Sequence, residues 1–138
     1  MKIHETKYWD IELSKDQAYL GRCFVSLRRE CGDLAKLKKE EILDFLDIVK
    51  KLENAIRKAF GATMFNWTCL MNDAYKSKNP KPQVHWHCRP RYKNPVEFSE
   101  IIFEDKEFAH HYDNHRRFEV SEKILKEIGD KIKGNLEE

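Results

Sequence analysis

Apolar residues recur at helical spacing over one long stretch of the chain. Between residues 38 and 60 they share one face, while Lys, Glu and Asp occupy the other. This pattern predicts an amphipathic helix over 38–60, and Gly61 is suited to end it in a left-handed conformation. No Ser, Thr, Asn or Asp stands beside Lys38, so the sequence does not reveal what caps the start of this helix. A second apolar repeat predicts a helix over 120–136, weakened by Gly129.

Shorter stretches are rich in the β-branched and aromatic residues that are typical of strands. The predicted strands are 6–13, 19–28, 63–71 and 83–92, the last two antiparallel to each other. Between them we predict a turn at 14–18 and a polar loop at 72–82, and irregular or strand structure follows at 95–103. With the two helices, these elements predict a single α+β domain over residues 1–138, with an antiparallel sheet around one long helix.

The charge balance limits the kinds of partner this chain would bind. Its 138 residues include 26 Lys and Arg against 24 Asp and Glu, a net charge of +2. A duplex-DNA binder normally carries a large basic excess, so nucleic acid is not an expected partner. A small phosphate-bearing ligand held by a few local charges remains compatible. No apolar run reaches the roughly 18 residues of a membrane helix and the start lacks an apolar signal region, so we expect a cytoplasmic protein without membrane contact.

The cysteines show no metal or redox pattern. They are Cys23, Cys31, Cys69 and Cys88, and none forms a C-x-x-C pair. Without a secretion signal, we expect buried, reduced thiols.

The predicted strand 83–92 has the most unusual composition. Alternate side chains of a strand share a face. One face carries Gln83, His85, His87, Arg89 and Arg91, and the other carries Val84, Trp86, Cys88 and Pro90. A row of imidazoles and guanidiniums repels itself unless an anion or carboxylates lie against it. Arginine suits phosphate oxygens and a neutral imidazole can attack phosphorus, but a solvated polar face would show the same spacing.

Residues 83–91 resemble the signature strand of the histidine-triad (HIT) superfamily of nucleotide hydrolases and transferases. That signature alternates histidine with apolar residues, and here it reads Gln-Val-His-Trp-His-Cys-Arg, followed by Pro-Arg. Segments 19–25, 33–41 and 65–68 resemble the family in the same order. The resemblance covers about residues 8–92, and residues 93–138 form an extension that matches loosely. It implies a HIT-like α+β fold with a C-terminal helix, and a homodimer.

The resemblance also implies roles for individual residues. His85 occupies the position of the nucleophile that attacks the α-phosphorus of a nucleotide and forms a covalent nucleotidyl-histidine, which water hydrolyses. His87 occupies the position of a phosphate ligand. Asn72 and Asn79 are expected near the phosphate and leaving group, and Ser14 near the ribose hydroxyls. The implied substrates are dinucleoside polyphosphates such as diadenosine tetraphosphate, or nucleoside phosphoramidates. No cofactor is implied, although a divalent ion could accompany a polyphosphate.

Three positions depart from the family pattern. Gln83 replaces the first histidine of the triad, and Arg22 replaces the histidine that usually follows the glycine at Gly21. Both are expected to contact the phosphate or leaving group, and one suggested arrangement is a network joining them. Arg89 stands where the family has an apolar residue and adds positive charge. The nucleophile is retained, while the proton donor to the leaving group is not identified.

Other interpretations of the chain remain open at this point. The replaced histidines are compatible with a nucleotide-binding or sensing module without turnover, and the Trp and Arg residues with single-strand RNA binding. On a helix, His111 and His115 would share a face and could bind a metal, although solvated or packing histidines would look the same. Residues 103–112 suggest a docking segment without chemistry of its own.

Overall fold

Five antiparallel strands form the main sheet of this chain, in the order β1-β2-β3-β5-β4. The computed structural model describes residues 1–136. The strands are β1 (Lys2–Glu5), β2 (Trp9–Leu13), β3 (Cys23–Leu27), β4 (Met64–Thr68) and β5 (His85–Arg91). A separate hairpin joins β6 (Val96–Phe98) to β7 (Ile101–Phe103), and the helices are α1 (Lys39–Phe60) and α2 (Glu122–Leu136). Two short 3-10 helices lie at Leu34–Lys36 and Asp73–Lys76.

Helix α1 covers one face of the sheet through an aromatic cluster. The ring of Phe45 stacks on Trp86 of β5 at 4.9 Å and meets Trp9 of β2 at 5.2 Å and Trp67 of β4 at 5.6 Å. Below this cluster the helix buries aliphatic residues such as Leu52 in the core. Burial of these apolar surfaces is the main force that holds α1 against the sheet. The apolar face of β5 therefore points to α1, and its polar face is left on the opposite side.

Glu41 caps the start of α1 from inside the helix. Its carboxylate accepts the backbone N–H of Lys38 and two hydrogen bonds from the guanidinium of Arg29. The hydrogen bond from Arg29 is the main reason that the pKa of Glu41 is lowered to about 2. The capping residue that the sequence did not reveal is therefore a glutamate at the third helical position, reaching back as in half of a capping box. Gly61 ends the helix at φ 76°, as predicted.

Each of the four predicted strands is present, and the antiparallel pairing of the last two is confirmed, but all four are shorter than predicted. The α+β class, the antiparallel sheet and the long helix are confirmed. The strand predicted at 19–28 begins only at Cys23, because Tyr19 and Leu20 are buried in a turn rather than paired in the sheet. The strand predicted at 83–92 begins at His85. Strand β1 was missed, because only Ile3 of its four residues is buried and no alternation marks it.

The extension after residue 92 folds back over the polar face of the sheet. It is tied to the 14–22 turn by hydrogen bonds from Gln17 N to Phe118 O and from Phe118 N to the carboxylate of Asp16. It ends in α2, which packs on α1 and β1. Gly129 lowers the helix propensity of α2, but it leaves room for the side chain of Met1. A Cβ at this position would come within 2.7 Å of the Met1 sulfur.

Two further sequence predictions concern membrane helices and the state of the cysteines. No helix within residues 1–136 is long and apolar enough to cross a membrane. All four cysteines are free; Cys23, Cys31 and Cys88 are buried, as expected, and Cys69 is partly exposed.

Candidate active site

A groove of about 390 Å³ runs along the polar face of β5, and we call it the histidine groove. Its volume lies in the range of small-ligand sites. Strand β5 lines it with His85, His87 and Arg89, and the loop after β4 lines it from Leu70 to Ala74. Its remaining lining residues are Arg22, Thr68, Lys76, Gln83, Tyr112, Asn114, His115 and Arg117.

The imidazole of His85 is held in one tautomer by the backbone. Its Nδ1 lies 2.8 Å from the carbonyl oxygen of Gln83. A carbonyl can only accept a hydrogen bond, so Nδ1 carries the proton. In the neutral ring, Nε2 then has the free lone pair. This arrangement prepares one defined nitrogen of His85 for attack on an electrophile.

The side chain of Gln83 is hydrogen-bonded to backbone groups of the last residue of β3 and of the segment that follows it. Its amide nitrogen donates to the carbonyl oxygens of Leu27 and Arg29, each at 2.7 Å, and its oxygen accepts the N–H of Cys31 at 3.0 Å. Both amide hydrogens are therefore used, so the leaving-group contact expected of Gln83 has no donor. Instead, these bonds fix the chain at Gln83, whose carbonyl orients His85.

His87 lies beside His85 and stays neutral. The two rings are 5.0 Å apart, and His87 also packs edge-on against Phe24 at 5.0 Å. Burial, together with the neighbouring charges of Arg89, His85 and Arg22, lowers the pKa of His87 to about 4. Its Nδ1 is buried without a hydrogen-bond partner in the described residues.

Arg22 lies at the other end of the groove from Gln83, so the suggested network between them is wrong. Cys23 pairs with Cys88 across β3 and β5, which places Arg22 opposite Arg89. Its guanidinium donates to Asp16 at 2.9 Å and lies over the ring of Phe24 at 5.3 Å. Arg22 therefore lines the groove at its His87 end.

Arg89 is buried in the groove wall without a hydrogen bond. Its side chain is 5% exposed, and its guanidinium lies 4.0 Å from the centre of the Tyr112 ring. No hydrogen bond or ion pair joins it to another residue in the part of the chain that the structure describes. A fixed cation on an aromatic face, open to the groove on its other side, is suited to receive an anion.

Arg91, expected on the same polar face, does not reach the groove. Its guanidinium pairs with Asp105 and also bonds Asn66 and the carbonyl oxygens of His110 and Glu107. Arg91 and Asp105 are 2% and 1% exposed. This side chain therefore anchors the extension to the sheet instead of binding a ligand.

Of the three remaining predicted site residues, one lines the histidine groove and two lie outside its lining. Asn72 lines the histidine groove, and its side chain makes no capping hydrogen bond. Asn79 is exposed in the loop and lies outside the groove lining. Ser14 is buried, its hydroxyl accepts the N–H of Asp16, and it also lies outside the lining. The structure brings Asn72 to the two histidines but does not bring Asn79 or Ser14 there.

The predicted site residues do not include those that the extension contributes to the groove. Tyr112, Asn114, His115 and Arg117 line the groove from a segment that resembles the family only loosely. The clue available was the local density of His and Arg in 110–117. That segment forms turns and bends, so the helix that would have aligned His111 with His115 is absent. Within residues 1–136 no group of three His, Cys, Asp or Glu side chains is placed to hold a metal ion.

Solved structures of histidine-triad proteins superpose on nearly the whole chain. The one from Sinorhizobium meliloti has a TM-score of 0.74 at 14% identity and covers 98% of this chain and 88% of its own. The one from Marinobacter aquaeolei has a TM-score of 0.73 at 18% identity, with 99% and 88% covered. A hypothetical histidine triad nucleotide-binding protein from Sulfolobus tokodaii has a TM-score of 0.71 at 15% identity, with 99% and 83% covered. The chain has the histidine-triad fold.

The likeness to these HIT structures is one of backbone rather than of sequence. No protein-family model and no curated protein sequence matches this chain. The superposition extends over the residues after 92, where the sequence resemblance was loose. The extension is therefore part of the fold that this chain shares with the HIT structures, even though the sequence resemblance covers only about residues 8–92.

Proposed function

We propose that this chain is a nucleotide hydrolase or transferase that acts at the α-phosphate through a covalent nucleotidyl-histidine on His85. The observation that carries the proposal is the contact of 2.8 Å between Nδ1 of His85 and the carbonyl of Gln83. It sets the free lone pair of Nε2 in a groove rich in cations. The HIT fold supports the proposal by analogy of fold alone.

The proposed reaction has two steps. Nε2 of His85 attacks the α-phosphorus, so an N–P bond forms while the bond to the leaving group breaks and its electron pair departs with the leaving group. Water then attacks the same phosphorus, the N–P bond breaks, and a nucleoside monophosphate is released with His85 restored. His87, adjacent at 5.0 Å between rings, would stabilise the charge on the phosphate oxygens. Asn72, an uncharged donor in the lining, would orient the leaving-group side.

The direct test is turnover and trapping with His85→Ala. Wild type and variant would be incubated with diadenosine tetraphosphate, an adenosine phosphoramidate and GTP, and the products resolved by chromatography. We expect nucleoside monophosphate from wild type and a loss of at least about a thousandfold in the variant, because the nucleophile is gone. Acid-labile nucleotide on wild-type protein, absent from His85→Ala, would show the covalent intermediate. Equal turnover by both proteins would refute the proposed nucleophile.

The second candidate function is a nucleotide sensor on the same site. It is favoured by the state of Gln83, whose amide has no hydrogen left for a leaving group. A sensor predicts reversible binding of nucleotide by wild type, with no covalent adduct and no product. The trapping experiment therefore separates the two functions.

We also propose that two copies of the chain associate. Strand β4 is an edge of the sheet, so one side of its backbone is unpaired. Beside it, α1 exposes the apolar side chains of Ile42, Leu43 and Leu46 to solvent. Pairing of two β4 edges with contact between the two α1 helices would cover both features. We expect a dimer in sedimentation equilibrium that Leu46→Glu weakens, whereas a monomeric wild type would refute it.

A further inference from the structure

The guanidinium of Arg89 is a buried cation that forms no ion pair with a carboxylate in the described part of the chain. Removing a charged group from water costs several kcal/mol unless it gains partners. Arg89 is 5% exposed, and its contact is the face of Tyr112 at 4.0 Å. The ring offers a weak partner compared with a carboxylate or phosphate. Burial is also the main cause that lowers the pKa of Arg89. An anion in the groove would supply what this side chain lacks.

Two further arginines lie near Arg89, and we call the three residues Arg22, Arg89 and Arg117 the arginine cluster. Arg22 faces Arg89 across β3 and β5, and Arg117 lines the groove from the extension. Only one carboxylate serves them among the described residues: the same oxygen of Asp16 lies 2.9 Å from Arg22 and 3.8 Å from Arg117. Like charges at facing strand positions repel each other. The arginine cluster therefore carries an excess of positive charge that the fold itself does not neutralise.

The arginine cluster lies to one side of the two histidines. Arg89 follows His87 by two residues on the same face of β5, which is about 7 Å along a strand. His85 lies two residues further back, next to Gln83. A phosphate held at His85 and His87 therefore leaves the arginine cluster free for a neighbouring group of the same ligand.

We propose that the arginine cluster binds a second phosphate of the substrate, adjacent to the one that His85 attacks. This inference rests on the proposed function and narrows it. The substrate class becomes nucleotides with a polyphosphate chain, in preference to nucleoside phosphoramidates with a single phosphate. Guanidinium forks suit a group that presents several oxygens, and three of them converge here.

Binding of non-hydrolysable ligands tests the proposal without turnover. AMP has one phosphate, and α,β-methylene-ADP adds a second at the same nucleoside. Calorimetry with wild type should show that the analogue binds at least about tenfold more tightly than AMP, since hydrogen bonds to charged groups contribute on that scale. In Arg89→Met this preference should fall to about twofold or less, while AMP affinity changes little.

A matched control and a second variant keep the result interpretable. Arg28→Met removes the same charge from the surface, where Arg28 pairs with Glu5 and Asp10 away from the groove, and it should retain the full preference. Arg117→Met alters an exposed member of the arginine cluster, 60% exposed, and should reduce the preference by about threefold even if Arg89→Met does not fold.

Three results would overturn the proposal. The first is equal affinity of wild type for AMP and its analogue. The second is a parallel loss for both ligands in Arg89→Met, which would place the scissile phosphate itself on Arg89. The third is a preference that Arg117→Met and Arg89→Met leave intact. Each can occur whether or not His85→Ala abolishes turnover, so this proposal and the proposed function fail separately.

Discussion

Arg89 and Arg91 stand two residues apart on the same face of β5, yet their surroundings are opposite. Both are buried, at 5% and 2% exposed. Arg91 has hydrogen-bond acceptors for all of its guanidinium nitrogens, whereas Arg89 has an aromatic ring and an open groove. Periodicity puts both side chains on one face, but it does not distinguish an anchor from a binding residue. The difference lies in what the extension brings to each position: a carboxylate to Arg91 and a tyrosine ring to Arg89.

The largest loss of stability is expected from Arg91→Met, which removes the buried ion pair between Arg91 and Asp105. It would leave the carboxylate of Asp105 buried without its cation, at a cost of about 3–5 kcal/mol in the free energy of unfolding. Urea denaturation measures this cost. Arg91→Met combined with Asp105→Asn should recover part of it, because the unpaired charge is then gone. A loss below about 1 kcal/mol for the single variant would show that Arg91 is not the anchor.

Acid should destabilise the protein through His87. The pKa of this residue is about 4 in the fold against an ordinary 6.5, so the unfolded chain takes up the proton first as the pH falls. The contribution to stability is fully present above pH 6.5 and is lost towards pH 4. We expect a loss of about 2 kcal/mol, since the open groove screens part of the effect. His87→Asn should lack this component, and the same pH dependence in both proteins would contradict the assignment.

Arg89→Met should change stability far less than Arg91→Met. The lost contact with Tyr112 and the relief of burying an unpaired charge oppose each other, so we expect a change within about 1 kcal/mol. The variant should also raise the pKa of His87 above about 4, because the Arg89 charge lowers it in wild type. Urea denaturation and a histidine titration by NMR measure the two effects. A loss as large as that of Arg91→Met would mean that Arg89 is structural.

The smallest effect is expected from Arg28→Met at the surface. Arg28 forms ion pairs with Glu5 and Asp10 at 3.6 and 3.7 Å, but its side chain is 45% exposed. Exposed pairs contribute about 0–1 kcal/mol, so we expect a change of about 0.5 kcal/mol or less in urea denaturation. A much larger change would show that burial is not what separates Arg91 from the other arginines.

The local features of this chain could be predicted, and the long-range ones could not. The apolar repeat predicted α1 to within one residue, because a helix is set by neighbours three and four positions apart. The alternation in 83–91 predicted that His85 and His87 share a face, and both line the groove. The role of Gln83 was not predictable, because its partners lie 52 to 56 residues away.

The amino-acid sequence by itself determined the two helices, the antiparallel pair of β4 and β5, and the row of polar residues on β5, because periodicity and turn residues act locally. Only the tertiary structure decided what that row does. It seated Gln83 so that its carbonyl fixes His85, paired Arg91 with Asp105, and placed Tyr112 and Arg117 at the groove. The physical reason is that the charge and hydrogen bonding of a buried group depend on the neighbours that folding brings to it, and spacing along the chain does not encode them.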